Sequence, residues 1–306
     1  MAPDELFFYG SGRRSVAKLL DQNGFQLASL VFHYDGTAWG LQRRIRDVSL
    51  RGVWGASDTD VWAVGFDFLD DDARVLHYDG TEWAIVPGFE SDGSATFGLY
   101  AVWGSSATDV YAVGSAFNGE IAFSLMFHYD GVAWQRVALP GEALPSLADV
   151  WGSSASDVYV VGTDQVASPL TGTILHWDGG TWTPVLQEPD LTLTSVWGSS
   201  ASDVYAAGFT VTETDGEFLV AAALRHFDGQ SWTPVTLPTA GVLDDLWGTG
   251  PDDVFAVGEN GAILHYDGTA WTVTNPTDRT LLGVWSASPS DAFAVGNGGI
   301  ILHGTP

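Results

Sequence analysis

One feature, an internal repeat, constrains the fold of this chain more than any other. The residue pattern from Val150 to His176 returns in four further segments, at Val53 to His77, Val102 to His128, Val196 to His226 and Leu246 to His265. The histidines that mark the repeat follow one another at intervals of 38 to 51 residues. A period of about 45 residues is typical of a four-stranded propeller blade, so the repeat predicts an all-β propeller.

Each repeat reads as four short strands, a to d. Strand a is Leu-x-x-Val-Trp-Gly and ends at Trp54, Trp103, Trp151, Trp197, Trp247 and Trp285, where Ser286 replaces the last glycine. Strand b is Asp-Val-aromatic-Ala-Val-Gly and begins at Asp60, Asp109, Asp157, Asp203, Asp253 and Asp291. We assign Asp4 to Gly10 as a seventh copy of strand b.

Strand c ends in His-aromatic-Asp-Gly, at His33, His77, His128, His176, His226 and His265, with a truncated copy at His303. Strand d begins at Trp39, Trp83, Trp134, Trp182, Trp232 and Trp271. The Asp-Gly pairs between strands c and d supply the positive φ that a tight hairpin turn needs. Strand b is apolar on both faces, which is typical of a sheet stacked between two others.

These motifs resemble kelch-type repeats, with a looser likeness to Asp-box repeats at the Asp-Gly-x-x-Trp turn. The resemblance covers nearly the whole chain and implies the propeller fold. Both families include enzymes, lectin-like modules and scaffolds, so the resemblance leaves the chemistry open.

The blade count follows from the strands. We expect one domain, 1–306, with seven four-stranded blades of about 45 residues and incomplete first and last repeats. The repeat units are 1–46, 47–96, 97–145, 146–191, 192–240, 241–278 and 279–306. The alternative is six blades plus an N-terminal hairpin formed by residues 1 to about 36. A longer parent chain would begin with strands d and a, and that strand d would complete the blade left open at His303.

Charge and composition exclude some functions. The chain has 38 acidic and 11 basic side chains and a net charge of −27, which excludes a nucleic-acid partner. It has no cysteine, so a disulfide-stabilised scaffold and a cysteine nucleophile are excluded. Nowhere do 18 apolar residues run together, so we expect no membrane insertion. The few lysines and many Trp and Gly residues favour an extracellular or cell-surface protein, and we expect a monomer.

The recurring polar residues have a structural interpretation. The seven histidines are spread one per blade, so they cannot converge on one catalytic or metal site. We expect them to fix turns by hydrogen bonds. Four of the aspartates that open strand b, Asp60, Asp109, Asp157 and Asp203, follow Ser or Thr, and we expect the strand-b aspartates to cap amides of the preceding turn.

The candidate ligand site lies where the repeat varies. The b-to-c and d-to-a connections vary most in length and share one rim, which we predict to be the binding face. Strand a begins at this rim, and the two residues after its leucine should line the central funnel. Our candidates for a polar, asymmetric pocket mouth come from these two columns and are Arg51, Tyr100, Asp149, Thr194, Asp244 and Asp245.

An acidic hairpin is the one candidate cation site, since Asp67, Asp70, Asp71 and Asp72 lie together between strands b and c of one repeat. Ca²⁺ needs six to eight oxygen ligands, and this run lacks the glycine and glutamate of the 12-residue calcium loop. The sequence therefore favours a solvated hairpin, with Ca²⁺ as the alternative and no other cofactor.

Basic residues are concentrated near the N-terminus. Eight of the eleven cations lie in the first two repeats, at Arg13, Arg14, Lys18, Arg43, Arg44, Arg46, Arg51 and Arg74. They could form a basic patch that receives a carboxylate or an acidic partner segment, or they could relieve self-repulsion.

Three functions remain after these exclusions. We favour a non-catalytic binding propeller with a protein or carbohydrate ligand, a lectin being the specific case. The alternatives are a propeller hydrolase or lyase that uses funnel carboxylates, at least one with a raised pKa, and a repeat cassette of a longer surface protein.

Overall fold

A computed structural model describes residues 6–9, 14–20, 26–34, 37–91, 93–140, 146–164, 167, 169–214, 216–238, 241–288 and 290–304; side chains are described from residue 28 onward. The described residues form seven antiparallel sheets, with two short 3-10 turns at Glu259–Gly261 and Asn297–Gly299. No helix in this part of the chain has the length and apolarity to cross a membrane.

Six sheets have four strands each and are called blades 1 to 6 in chain order. Blade 1 contains β1 (Leu6–Tyr9), β2 (Arg14–Leu20), β3 (Gln26–Tyr34) and β4 (Trp39–Arg46); blade 2 contains β5 (Val48–Ser57), β6 (Asp60–Asp67), β7 (Asp72–Tyr78) and β8 (Trp83–Val86). Blade 3 contains β9 (Thr96–Ser106), β10 (Asp109–Phe117), β11 (Ala122–Tyr129) and β12 (Trp134–Arg136); blade 4 contains β13 (Ser146–Ser154), β14 (Asp157–Asp164), β15 (Thr171–Trp177) and β16 (Trp182–Pro189).

Blade 5 contains β17 (Leu191–Ser200), β18 (Asp203–Thr214), β19 (Glu217–Phe227) and β20 (Trp232–Pro234); blade 6 contains β21 (Leu243–Gly250), β22 (Asp253–Gly258), β23 (Ile263–Tyr266) and β24 (Trp271–Thr274). The remaining sheet, called sheet 7, has three strands: β25 (Leu281–Ser288), β26 (Asp291–Gly296) and β27 (Ile300–Gly304).

The sheets form a ring around their first strands. Each first strand from β5 to β25 contacts the next, while β1 lies against β5 on one side and β25 and β26 on the other. The all-β propeller is therefore confirmed. The expectation of seven four-stranded blades is wrong, because six blades are complete and sheet 7 has no fourth strand among the described residues.

The N-terminal strands differ from both sequence expectations. The sequence predicts strand b at Asp4 to Gly10, of which only residues 6–9 are described. Leu6–Tyr9 occupies position a, and Arg14–Leu20 occupies position b beside β3. The alternative of six blades plus an N-terminal hairpin has the right number of complete blades. Its hairpin is not an appendage, however, because β2 pairs with β3 along seven residues and so belongs to blade 1. Arg14–Leu20 lacks the Asp-Val-aromatic motif, so the repeat alone could not locate it.

A β-bulge interrupts strand a at the same point in blades 2 to 6 and in sheet 7. In blade 5, Leu193 pairs with Gly208 and Ser195 pairs with Ala207, so Thr194 has no partner in the ladder. The glycine that ends the strand-b sequence motif, Gly208 in blade 5, is required by this geometry. A Cβ on Gly208 would lie 1.9 Å from the Thr192 carbonyl oxygen, well inside van der Waals contact.

Neighbouring sheets interlock through the Trp-Gly pair of strand a. The ring of Trp103 lies against Gly152 of the next blade, where a Cβ would be 2.6 Å from the ring. The same contact joins Trp151 to Gly198 and Trp197 to Gly248. In sheet 7, where Ser286 replaces the glycine, Trp247 Nε1 instead donates to the Ser286 carbonyl oxygen at 3.0 Å.

The histidines form a repeated network, as the sequence indicated. In blade 4, His176 Nε2 is 2.6 Å from Asp157 Oδ1, Ser153 donates to Asp157 Oδ2, and the imidazole stacks on Tyr159. The strand-b aspartate binds a histidine in blades 2 to 6 and in sheet 7, and in blades 3 to 6 it also binds a Ser or Thr hydroxyl, so the expectation that these aspartates cap turn amides is corrected. The amides of the c-to-d turn bind another aspartate, Asp178 in this blade.

Replacing His176 with alanine should lower the free energy of unfolding by about 2 kcal/mol, because the substitution leaves Asp157 Oδ1 without its histidine partner and removes the ring that stacks on Tyr159. His303→Ala is the matched control in sheet 7. Its His–Asp pair is more exposed, 39% and 43% against 23% and 16%, so we expect less than half the loss. Urea unfolding followed by tryptophan fluorescence measures both, and equal losses would contradict this account.

Candidate functional site

A cavity of about 380 Å³ occupies the centre of the ring. The strands a of blades 2 to 6 and Leu282 of sheet 7 line it, from the bulge residues at one end to a set of tryptophans: Trp54, Trp103, Trp151, Trp197 and Trp247. The bulge explains why the side chains of the bulge residues face the axis, because an extra residue in one strand turns its side chain out of the regular alternation.

All six polar residues that the sequence placed in the funnel line this cavity. Arg51, Tyr100, Thr194 and Asp244 are bulge residues, and Ala148 and Leu282 hold the same position in blade 4 and sheet 7. Asp149 and Asp245 are the next residues along their strands. Their location agrees with the prediction, while a role in ligand binding remains a prediction.

Arg51 and Tyr100 form the basic side of the cavity. The Arg51 guanidinium lies 5.4 Å from the centre of the Tyr100 ring, within reach of a cation–π interaction. The Tyr100 hydroxyl shares a 2.7 Å hydrogen bond with Ser115 Oγ. Arg51 is exposed and has no ion-pair partner among the described residues, so its guanidinium is available to a ligand.

Thr194 is already engaged within the protein. Its hydroxyl lies 2.7 Å from the Leu243 carbonyl oxygen of blade 6 and 3.1 Å from the Ala207 carbonyl oxygen of blade 5. Its main contribution is therefore to join two blades at the cavity wall.

Asp149, Ser195 and Asp245 form a buried network across blades 4, 5 and 6. Ser195 Oγ lies 2.9 Å from Asp149 Oδ2 and 3.1 Å from Asp245 Oδ1. The main-chain amide of Val196 donates to Asp149, and that of Val284 donates to Asp245, each at 2.9 Å. The two carboxylates thus tie together the strands a of blades 4, 5 and 6 and of sheet 7.

This network favours a proton on Asp245. Burial raises its pKa to about 8, helped by the nearby Asp149 carboxylate, while burial raises the pKa of Asp149 to about 6. The serine geometry agrees, because the single hydroxyl hydrogen of Ser195 can be given to only one carboxylate. If Ser195 donates to Asp149, a protonated Asp245 can donate to Ser195 Oγ and complete the chain.

Asp244 forms the acidic side of the cavity. Its Oδ2 atom is buried and accepts no hydrogen bond from any described residue. Burial raises the pKa of Asp244 to about 7, and the negative charge of Glu259 adds to the shift. Asp244 as a whole is only half-buried and lines the cavity, so a cationic or hydrogen-bond-donating ligand group would approach the accessible part of its carboxyl group. The cavity therefore carries a guanidinium on blade 2 and an unsatisfied carboxyl group on blade 6.

The variable rim around the cavity carries exposed apolar side chains on three b-to-c hairpins. They are Phe68 and Leu69 in blade 2, Phe117 and Ile121 in blade 3, and Phe218, Leu219 and Val220 in blade 5. Leu69 is 74% exposed and Phe218 is 71% exposed, although both are large. Sequence reasoning missed these residues; the available signal was apolar residues at the tips of hairpins that vary between repeats. Such clusters are typical of protein-interaction surfaces.

The acidic hairpin is engaged with its own surroundings. Arg74 forms ion pairs with Asp67 and Asp70, and Asp72 Oδ1 accepts a hydrogen bond from the Ser91 amide at 2.8 Å. Asp71 occupies a left-handed conformation at the turn. Within the described ranges, no three acidic or histidine side chains are grouped to hold a metal ion. The Ca²⁺ site stays a prediction.

The structure describes the side chains of only some residues of the predicted basic patch. Arg43, Arg44 and Arg46 are exposed on β4, the outer strand of blade 1, and have no ion-pair partner in the described part of the chain. Arg74 is paired with carboxylates. Arg13 lies outside the described residues, as do the side chains of Arg14 and Lys18.

Comparisons with known proteins support the architecture. No model of a known protein family matches the chain, and no curated protein matches it in sequence. Among solved structures, the chain is similar to "YCF48 bound to D1 peptide", with a TM-score of 0.65, 14% identity and coverage of 100% of this chain and 95% of that one. It is also similar to "YCF48 from Cyanidioschyzon merolae", with a TM-score of 0.66, 13% identity and coverage of 100% and 97%.

These likenesses show a β-propeller fold. They confirm the propeller implied by the repeat, and the two neighbours are YCF48 propellers, so the kelch-type and Asp-box assignments gain no support from them.

Proposed function

We propose that this chain is a non-catalytic protein-binding propeller that receives a peptide segment of its partner at the cavity mouth. The observation that carries the proposal is the cavity itself, whose wall presents bulge residues that the strand ladders leave unpaired. One of the similar propellers is described as bound to a peptide, which supports this class of ligand.

The chemistry of the mouth suggests what the segment contains. Arg51 would bind a carboxylate of the ligand, and Asp244 would bind a basic or amide group on the other side. The exposed hairpin residues, such as Leu69 and Phe218, would contact apolar side chains beyond the mouth. A peptide with both kinds of charge and flanking apolar residues therefore fits this rim.

The other functions have less support. The comparisons give no support to the lectin-like alternative, and carbohydrate binding remains an untested hypothesis. The raised pKa that the hydrolase or lyase hypothesis required is present in Asp245, but this carboxyl group binds Val284 and Ser195 within the ring. A monomeric state and a surface location also remain predictions.

A peptide library displayed against the purified chain tests the proposal. We expect enriched peptides whose affinity falls at least tenfold in Arg51→Glu, because the substitution places a negative charge where the ligand carboxylate would bind. Val132→Glu, on an 87% exposed residue in the turn between strands c and d of blade 3 at the opposite rim, should bind as the original chain does.

Three results would count against the proposal: no enrichment, enriched peptides that bind Arg51→Glu normally, or enriched peptides that lose affinity only in Val132→Glu. A glycan array is run in parallel. Sugar binding that is lost in Arg51→Glu, with no peptide enriched, would establish the lectin alternative instead.

A further inference from the structure

Blade 5 carries a hairpin that extends past the rest of its sheet. β18 and β19 pair along eleven residues, from Val204 with Phe227 to Thr214 with Glu217. β17 pairs with β18 only as far as Thr210, and β20 pairs with only the last three residues of β19. In blade 4, by contrast, β16 pairs with all seven residues of β15. The first part of β19 therefore has no neighbouring strand on its outer side among the described residues.

The main-chain groups of Phe218, Val220 and Ala222 point to this open side. The Leu224 carbonyl oxygen accepts a hydrogen bond from the Val235 amide, at 3.0 Å, on the outer side of β19. Because the hydrogen-bonding groups of alternate residues in a strand point to the same edge, those of residues 222, 220 and 218 also point outward. No main-chain hydrogen bond from another described segment reaches them. Each of these residues thus presents an unpaired amide and an unpaired carbonyl group at the edge.

Exposed apolar side chains line the same part of β19. Phe218 and Val220 lie on the face turned towards blade 6, because Leu224, on that face, packs in a cluster with residues of β21. Leu219 is exposed on the opposite face, with Arg225, whose guanidinium binds a glutamate of blade 4. Exposed edges are usually protected by a bulge, a lysine or a proline. β19 has no lysine or proline, and its pairing with β18 has no bulge.

The hairpin and its surroundings are acidic. Glu213 and Glu217 are exposed near the tip, and neither forms an ion pair with any residue that the structure describes. Arg225 is the only lysine or arginine between residues 137 and 278, and it is buried against Glu188. A basic partner segment would therefore be attracted to this hairpin without competition from a neighbouring cation.

We propose that the outer edge of β19 is a docking site for an extended segment of a partner protein, apolar at alternate residues and basic at its C-terminal end. The segment adds to blade 5 as an antiparallel strand. Main-chain hydrogen bonds to β19 supply the affinity, as in other cases of strand addition. Because the cavity is lined by strands a and β19 is a strand c, this edge is a second site, separate from the cavity mouth.

The geometry of β19 specifies the order of residues in the segment. An antiparallel strand that begins opposite Ala222 ends opposite Glu217, at the tip of the hairpin. Its first, third and fifth residues then lie beside Ala222, Val220 and Phe218, on the face turned towards blade 6, so they are apolar. The sixth residue lies directly opposite Glu217, where a basic side chain forms a cross-strand ion pair.

The probe is a fluorescent synthetic peptide, Val-Thr-Val-Thr-Val-Arg-Lys-Lys, and fluorescence anisotropy with the 306-residue chain should show saturable binding. We expect Glu217→Lys to weaken binding by about tenfold. The matched control is Glu120→Lys, which makes the same charge change at the exposed tip of the hairpin in blade 3 and should alter binding by less than about twofold. Arg51→Glu should also leave binding unchanged, which distinguishes this edge from the cavity mouth.

A second pair of variants tests the main-chain contacts. The Val220 amide is on the open side, so Val220→Pro removes a donor for the docked strand without removing a hydrogen bond to β18. We expect this variant to lose binding, while Val220→Thr, which keeps the amide, binds as the original chain does. Urea unfolding checks that both variants are folded.

Two modified peptides make the same test without altering the protein. In an antiparallel ladder, residues opposite Val220 and Phe218 exchange both hydrogen bonds with them. N-methylation of the second and third valines of the probe should therefore abolish binding, and N-methylation of its two threonines should preserve it.

Four results would overturn the proposal: a probe that does not bind, equal weakening by Glu217→Lys and Glu120→Lys, equal binding of the two methylated peptides, or normal binding by Val220→Pro. It is also overturned if the edge joins two copies of the chain instead, seen in sedimentation as a dimer that Val220→Pro dissociates. None of these results bears on Arg51 or the cavity mouth, so the proposed function is tested separately.

Discussion

Replacing Gly208 with alanine is expected to lower the free energy of unfolding by about 3 kcal/mol. Gly208 lies opposite the bulge in blade 5, and an alanine Cβ there would be 1.9 Å from the Thr192 carbonyl oxygen and 3.0 Å from Leu193 Cα. Both atoms belong to the main chain, so the bulge itself must shift to accept a methyl group. A shift of the bulge would also move Thr194 at the cavity wall.

The matched control is Gly250→Ala. Gly250 ends β21, has no other atom within 4 Å of the Cβ position, and does not have a positive φ, so alanine should be tolerated within about 0.5 kcal/mol. Urea midpoints at constant m-value give both free energies. Equal stability of the two variants would show that the glycine of strand b is not required by the bulge.

The free energy of unfolding should fall as pH rises from about 4 to 8. The pKa values of Asp149, Asp244 and Asp245 are raised by burial to about 6, 7 and 8, against an ordinary value of 3.8. The folded chain therefore holds protons that the unfolded chain has released. The resulting stability is complete below pH 3.8 and is lost as pH passes the folded values, with a slope of up to about 1.4 kcal/mol per pH unit for each proton.

The turn aspartates act in the opposite direction at lower pH. Hydrogen bonds from Thr81 and Thr269 lower the pKa values of Asp79 and Asp267 to about 2, so stability is lost as pH falls from 3.8 towards those values. The two windows meet at the ordinary pKa of 3.8, so together they predict maximum stability at about pH 4.

Asp245→Asn isolates the buried group, because asparagine fills the same space without a titrating proton. Relative to the original chain, the variant should gain stability steadily between pH 5 and 8. Asp278→Asn removes one formal charge from an exposed position and should leave the pH dependence unchanged. Urea unfolding at several pH values compares them, and parallel curves for all three proteins would contradict the assignment.

The repeat was sufficient to predict the fold because each motif has a local geometric cause. Asp178-Gly179 forms its turn with φ of 88° at the glycine, and Trp103 needs Gly152 beside it. The funnel column was also predictable, since strand a begins at the variable rim. The bulge that exposes Thr194 was not, because pairing register depends on two strands and leaves no mark in one of them.

Other features could not be predicted from the sequence, because they too depend on how separate segments of the chain pair. Leu6–Tyr9 resembles strand b in its residues, yet its partner β2 gives it the position of strand a. Phe218 and Leu219 are exposed because the hairpin of β18 and β19 extends beyond the end of β17, and the length of a pairing cannot be read from one strand alone. The link from Asp149 through Ser195 to Asp245 joins three repeats and has no local pattern.

The bulge has a consequence for how such a protein can be altered. A residue that the ladder skips can change its chemistry while the paired residues on either side keep the blade intact. Positions 51, 100, 148, 244 and 282 could thus be randomised together in a library to obtain new ligands from an unchanged frame. Thr194 would be held constant, because its hydroxyl joins blades 5 and 6.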